Sequence, residues 1–151
     1  LCLMPANTYG PNDNYDFLDS HFFPALIRKA HECKLKNKKS IKIWGSGKPL
    51  RELIFVDDIA DACIYFMRKK IKENVINIGT GKDYTIKTYA KLILKLICPK
   101  KKVRVVYDKT KPNGTPRKVL DISLAKKYGW KPKHKLKNAL LKAYESYIDE
   151  M

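Results

Sequence analysis

The spacing of apolar positions changes several times along the chain. Phe22, Phe23, Leu26, Ile27 and Ala30 recur at helical spacing and predict a helix over residues 22–34. Pro24 fits its first turn, where no backbone donor is needed. Asp57 is placed to cap a second helix over residues 57–69, with Ile59, Ala60, Cys63, Ile64 and Met67 on one side. Thr85 opens a third helix, which runs through Ile97 and stops at Pro99. Ser123 is placed to cap a short helix ended by Gly129, and residues 136–148 form the last. Between these, short apolar runs at 1–4, 41–44, 53–56, 75–78 and 103–107 read as strands. Two of them flank a turn at Gly45–Gly47, and a loop is expected from Pro5 through Asp19. Strands alternating with helices argue an α/β domain. No repeat or composition shift divides the chain, so residues 1–151 are expected to form one unit.

A hydrophobic content of 44% in 151 residues supports a core. No apolar run reaches the roughly 20 residues that span a bilayer. The opening LCLMPANTYG has no basic leader and too short an apolar stretch for a signal peptide; Leu1 is expected to fall inside a strand whose neighbours lie elsewhere. Cys2, Cys33, Cys63 and Cys98 are dispersed, without a CxxC pair, which argues against zinc or any metal site. Cysteines of this kind pack as small hydrophobes in a reduced compartment, and the cytoplasm is the expected location.

The net charge of +17 first suggests an anionic partner. The excess is lysine: Arg28, Arg51, Arg68, Arg104 and Arg117 are the only arginines. Reading bases favours the arginine fork, and no nucleic-acid motif is present, so nucleic acid is disfavoured as a partner. The lysine runs at 36–39 and 100–102 fall in expected loops, as a solvated surface or an AT-rich genome would produce.

Four segments carry more chemistry. PANTYGP at 5–11 combines Pro and Gly in a non-helical turn that leaves backbone groups and the Asn7 amide to face a ligand. SHFFPALIRKAHE at 20–32 sets His21 at a helix start. WGSGKPLRELIFVDDIADA at 44–62 carries Trp44 and Arg51 on either side of a glycine turn, and KPNGTPRKVLD at 111–121 surrounds Asn113 with cations. A guanidinium meets two phosphate oxygens at once, and an aromatic face covers a sugar or base. The glycine turn is no phosphate loop, since no Lys-Ser/Thr follows it.

In this order the four segments resemble the GDP-L-fucose synthases among the extended short-chain dehydrogenase/reductases that act on nucleotide sugars. The resemblance implies an α/β fold: the C-terminal, substrate-binding half of an extended Rossmann-type enzyme, without its N-terminal dinucleotide-binding half. It implies NADP as cofactor, a GDP-sugar substrate, a homodimer at full length and no membrane. The implied reaction is epimerisation of GDP-4-keto-6-deoxymannose at C3 and C5, then reduction at C4. By the same resemblance Pro5, Ala6, Asn7, Thr8 and His21 lie at the nicotinamide, and His21 is the acid that protonates the sugar carbanion. A near-neutral imidazole suits a group that loses and regains a proton. Lys29, Trp44, Arg51 and Asn113 are the implied substrate contacts. Two of these depart from the family pattern: Asn113 stands where Asp is usual, and Lys29 where a second consecutive Arg is usual. Both changes put a charged or forked contact in doubt.

Other features read as structural. Asp57 and Asp58 suit packing and capping at a helix start rather than a metal. His31 and His134 lack supporting context and are expected at the surface. INIGTGKDYT at 76–85 lacks the third glycine of a dinucleotide fingerprint. Tyr65 and Lys69 have the spacing of a reductase pair but lie on the wrong helix. The chain alone is therefore expected to be inactive. The alternatives are another nucleotide-sugar epimerase or dehydratase, against which SHFFPALI with GTPRK argues, and a basic nucleic-acid module.

Overall fold

A computed structural model describes residues 1–17 and 19–151. In chain order the elements are β1 (Cys2–Pro5), β2 (Asn7–Tyr9), α1 (Phe22–Leu35), β3 (Ser40–Trp44), β4 (Leu50–Phe55) and α2 (Val56–Met67). They continue with β5 (Val75–Ile78), β6 (Asp83–Thr85), α3 (Ile86–Ile97), β7 (Arg104–Asp108), β8 (Arg117–Lys118), α4 (Ser123–Lys127) and α5 (Leu136–Asp149). The mixed α/β pattern expected from the spacing is present. Among the described residues no helix is long and apolar enough to cross a membrane.

The strands form three small pairings. β1 runs parallel to β5, and β3 parallel to β7. β4 is the shared strand of the third: it pairs parallel with β2 and β8 and antiparallel with β6. β3 and β4, which flank the Gly45–Gly47 turn, do not pair with each other. Gly45 and Gly47 both have positive φ and send the chain from one sheet to the next.

Two apolar clusters hold these layers. The larger joins the buried faces of α1, α3 and α5, through Phe23, Ile27, Tyr89, Ile93, Leu140 and Tyr144, to Ile41 and Ile43 of β3. The smaller sets Ile76 and Ile78 of β5 against Phe66 of α2 and Trp130 beyond α4. α1 forms because its apolar residues repeat every three to four positions, and α3 has the same pattern. Thr85 caps α3 as expected, its Oγ1 accepting the Thr88 N–H at 3.1 Å.

Several local expectations are corrected. α2 is capped at Phe55, not Asp57. Asp57 and Asp58 instead occupy its first turn, where carboxylates complement the helix dipole. Ile122, not Ser123, precedes α4, and Asp121 Oδ1 accepts the Ser123 N–H at 2.8 Å. The loop expected from Pro5 contains a strand, β2, because residues 7–9 pair with Leu53–Phe55. His31 is buried, with Nδ1 at 2.9 Å from the Tyr144 hydroxyl, and burial pushes its pKa down. His134 is half-buried against α2. Both histidines were misread because the tertiary partner that covers each lies far along the chain.

Candidate functional site

At Ala6 one strand changes partners. Pro5 is still in register with Ile78 of β5, and the Ala6 N–H donates to the Ile78 carbonyl at 2.9 Å. Asn7 is already in register with Leu53 of β4. In parallel sheets such switch points open crevices for ligands. Pro5 and Thr8 are exposed there, and the Thr8 hydroxyl donates to the Ala6 carbonyl at 3.3 Å. The Asn7 amide is not free, contrary to expectation: its Nδ2 donates to the Glu52 carbonyl at 2.9 Å.

Beyond Tyr9 the chain turns through Gly10 and Pro11 and opens a cavity of about 370 Å³, which reaches the head of α1. His21 stands at the α1 N-cap in extended backbone (φ −62°, ψ 162°), with no side-chain capping bond and an exposed ring. Asn7, Thr8 and His21 therefore face one space, backed by Phe22, Leu53 and Val56. The Tyr9 hydroxyl behind them is held neutral, raised first by burial and then by Asp58. Asp13 lines the same cavity. Burial raises its carboxyl, while the Asn14 N–H and the nearby His21 pull it back.

The other predicted contacts lie outside this cavity. Trp44 is exposed, and Lys111 Nζ lies 5.5 Å from the centre of its ring. Asn113 Oδ1 accepts from the Ser46 N–H at 2.7 Å and the Ser46 hydroxyl at 2.9 Å. That amide oxygen sits 2.5 Å from where a Cβ on Gly45 would fall, so Gly45 is required both for its φ of +68° and for this approach. Asn113 thus ties its loop to the Gly45–Gly47 turn as an acceptor, a role an Asp would also fill. Arg51 Nη1 donates to the Leu50 carbonyl at 2.8 Å and the Thr115 carbonyl at 2.6 Å. Among the described residues no carboxylate pairs with it, so its remaining donors suit an anion. Lys29 is half-buried on α1, its pKa lowered by burial, and Nζ donates to the Lys42 carbonyl at 3.0 Å. Asn7, Thr8 and His21 gather around the cavity; Arg51 and Asn113 meet through the loop at 113–115, Trp44 lies beside that loop through Lys111, and Lys29 is held at Lys42 instead. The Asn7 bond to Glu52, next in chain to Arg51, links the cavity to Arg51.

Glu52 itself was not foreseen. It is 1% exposed. Its Oε1 accepts the N–H groups of Thr80 at 2.5 Å and Gly81 at 2.6 Å, and its Oε2 that of Leu120 at 2.7 Å. The Gly79-Thr80-Gly81 turn after β5 thus surrounds an internal carboxylate. Gly79 is needed because a Cβ there would lie 2.4 Å from Glu52 Oε1. The available signal was a lone acid inside the apolar run of β4. Asp58 is similarly occupied: its Oδ1 accepts the Lys133 N–H at 2.9 Å and lies 2.9 Å from His134 Nδ1. Among the described residues no group of acidic, His or Cys side chains is placed to hold a metal. Tyr107 and Lys111 also have the Tyr-x-x-x-Lys spacing, but they straddle the end of β7, and Lys111 is over Trp44.

Residues 1–79 match the family described as NAD dependent epimerase/dehydratase. Over 148 residues, 98% of its length, the chain is 45% identical to the putative GDP-L-fucose synthase 2 of Arabidopsis thaliana and covers 44% of that protein. Among solved structures it resembles a GDP-6-OMe-4-keto-L-xylo-heptose reductase from C. jejuni (33% identity, TM-score 0.88), covering 99% of this chain and 53% of that one. It also resembles the GDP-mannoheptose C4 reductase from Campylobacter jejuni with NADP bound (33% identity, TM-score 0.83), covering 97% and 52%. The chain thus spans about half the length of the proteins it matches.

Proposed function

Because the chain belongs to the NAD dependent epimerase/dehydratase family, we propose that residues 1–151 are the substrate-binding portion of a GDP-L-fucose synthase. The whole enzyme epimerises GDP-4-keto-6-deoxymannose at C3 and C5 and reduces it at C4. The observation that carries this reading is His21, an exposed imidazole at the head of α1 facing the cavity that Asn7 and Thr8 rim. An acid there delivers a proton to the sugar carbanion from the open side, after a base elsewhere has removed one from carbon. Arg51 holds diphosphate oxygens with the donors its loop bonds leave over. Trp44 covers the substrate, and Lys29 adds charge from α1. Asn113 keeps the loop closed over Arg51. The similarity to GDP-sugar enzymes supports GDP as the nucleotide.

NADP fits in part. Pro5, Ala6, Asn7 and Thr8 lie at a strand switch point and offer one wall. The glycine turn nearby, at 79–81, gives its N–H groups to Glu52 and is no cradle for a pyrophosphate. When bound, the cofactor supplies the hydride for C4; the residues of this chain only border it. The isolated chain is accordingly expected to oxidise no NADPH. The four free cysteines support a reduced compartment, the cytoplasm, and the full-length enzyme is expected to be a homodimer.

The test is solvent-deuterium incorporation into the keto sugar by the full-length enzyme. His21→Gln should slow it by about 10²–10⁴-fold, the usual contribution of a general acid. Reduction of the unepimerised sugar should persist, giving a different 6-deoxyhexose. Unchanged exchange with slower NADPH oxidation would assign His21 to reduction instead.

A further inference from the structure

Between α3 and β7 runs a groove of about 590 Å³, apart from the cavity at the head of α1. Its floor is apolar: Leu94, Val103 and Val105 rest there on the larger core cluster. Its rim is cationic. Lys87, Lys91 and Lys95 stand one turn apart along α3, and Lys101, Lys102 and Arg104 face them from the start of β7. Among the described residues no Asp or Glu lines the groove, and none of these cations is in an ion pair. Asp108, at the far end of β7, is taken by Lys42 and the Thr110 hydroxyl. β7 also has an open edge, since among the described residues it pairs with β3 alone. The Arg104 N–H donates to the Lys39 carbonyl at 2.9 Å, and the Asp108 carbonyl accepts the Gly45 N–H at 2.8 Å. Backbone groups alternate in direction along a strand. Arg104, Val106 and Asp108 therefore turn theirs to β3, and Val105 and Tyr107 turn theirs away. No residue of β3 lines the groove, so it follows this open edge.

We propose that this groove docks an extended acidic segment of a partner protein, which adds to the open edge of β7 as a further strand. The groove takes no part in the chemistry assigned to His21. An added strand meets the outward N–H and C=O groups of Val105 and Tyr107. Its alternate side chains point toward α3. Along one face of a strand these recur about every 6.6 Å. Residues four apart on a helix recur about every 6 Å. Asp or Glu at every second position therefore meets Lys87, Lys91 and Lys95 in turn. Lysines also blunt an open edge, and that selects the occupant. Two copies of this chain set edge to edge would bring their lysine rows together, so a second copy does not fit. A single RNA strand would need aromatic faces on which its bases could stack. Tyr107 instead packs on Gly47, its Cε1 2.6 Å from where a Cβ there would fall. An acidic peptide satisfies both the charge and the ladder.

The test titrates the full-length enzyme into a fluorescent peptide that alternates Glu and Thr, and follows its anisotropy at about 150 mM salt. Saturable binding is expected. Lys91→Glu with Lys95→Glu should weaken it by about tenfold or more, since like charges then face the peptide. If that variant loses its circular dichroism signal, Lys91→Gln with Lys95→Gln makes the same comparison and should weaken binding about threefold. Unchanged affinity in the folded variant would place the peptide elsewhere and overturn the proposal. A peptide with Pro in place of Thr keeps the charge but cannot serve as a ladder strand, and should bind about tenfold more weakly. Equal binding of the two peptides would reduce the groove to a charged surface and overturn strand addition. Hydrogen exchange at the Val105 and Tyr107 amides should slow when the Glu-Thr peptide is bound, and unchanged exchange would also overturn it. Tighter binding of a single-stranded RNA than of the peptide would make the partner a nucleic acid instead. Absence of peptide binding, with self-association of the lysine variants, would leave the lysines only guarding the edge.

Discussion

β4 serves two regions that treat their polar groups in opposite ways. At its start, Arg51 holds the Thr115 carbonyl, and the Glu52 carboxylate gathers backbone donors from the β5 turn and from Leu120. Asn113 closes the same side through Ser46. At its end, Leu53 supports Asn7 and the cavity, where the His21 ring has no capping bond and, among the described residues, Asp13 is in no ion pair with a Lys or Arg. One region satisfies itself and so builds a fixed floor. The other leaves an imidazole and a carboxylate facing solvent, which is where a proton can be exchanged with a ligand. A buried polar group is stable only when partnered. Groups left without partners therefore persist where water or a ligand reaches them.

Breaking the self-satisfied side should give the largest effect on stability. Glu52→Ala removes the acceptor of four hydrogen bonds, from the N–H groups of Thr80, Gly81 and Leu120 and from the Thr80 hydroxyl. The stranded donors should cost about 3 kcal/mol or more. The urea midpoint of the chain should fall accordingly. His21→Gln, on the open side, should leave it within about 0.5 kcal/mol. Equal midpoints for the two variants would break the contrast.

Arg51 stands between the regions, bonded to the Leu50 and Thr115 carbonyls yet, among the described residues, without a carboxylate partner. Arg51→Lys keeps the charge but loses the planar fork. In the full-length enzyme it should weaken GDP-sugar binding by about tenfold, or 1.4 kcal/mol. Calorimetry measures this, and unchanged affinity in a folded variant would place the phosphate elsewhere. A smaller effect is expected at Asn113. Asn113→Ala loses both bonds from Ser46 and should cost about 1 kcal/mol, whereas Asn113→Asp keeps an acceptor and should be near neutral. An Asp that destabilises as much as Ala would show that the amide donor, not the oxygen, matters there.

What the sequence disclosed divides along the same line. α1, α3 and α5 were legible because each is paced by its own apolar residues, with a local cap at Thr85 for α3. β2, β6 and β8 were not: they are two or three residues long and exist only through pairing with β4. His21 was singled out through its surrounding segment, and it lines one cavity with Asn7 and Thr8. Glu52, the burial of His134 and the partners of Asp58 escaped because the groups they bond lie some 28 to 76 residues away in sequence, beyond the reach of any periodicity. Trp44, Arg51 and Asn113 were named as contacts, but their bonding to one another's loops was invisible.

The finest test of the contrast compares two carboxylates. Asp108, at the end of β7, lies on the self-satisfied side. The Thr110 hydroxyl and the Lys42 ammonium donate to it and hold its pKa down at about 2. Asp13, in the cavity, is pushed above the ordinary range by burial. The two groups act oppositely on stability. Asp108 is depressed by folding, so its contribution is present above its unfolded value and fades as pH falls toward about 2. Asp13 is raised, so its contribution is present below its unfolded value and is lost as pH rises through the folded one. Side-chain carboxyl shifts followed by NMR through the acid range should therefore show Asp13 releasing its proton well after Asp108. Thr110→Val should raise the Asp108 midpoint and leave Asp13 where it is. Coincident midpoints in the unmodified chain would mean that the cavity carboxyl is as well partnered as the one on the closed side, and the distinction between the two ends of β4 would fail.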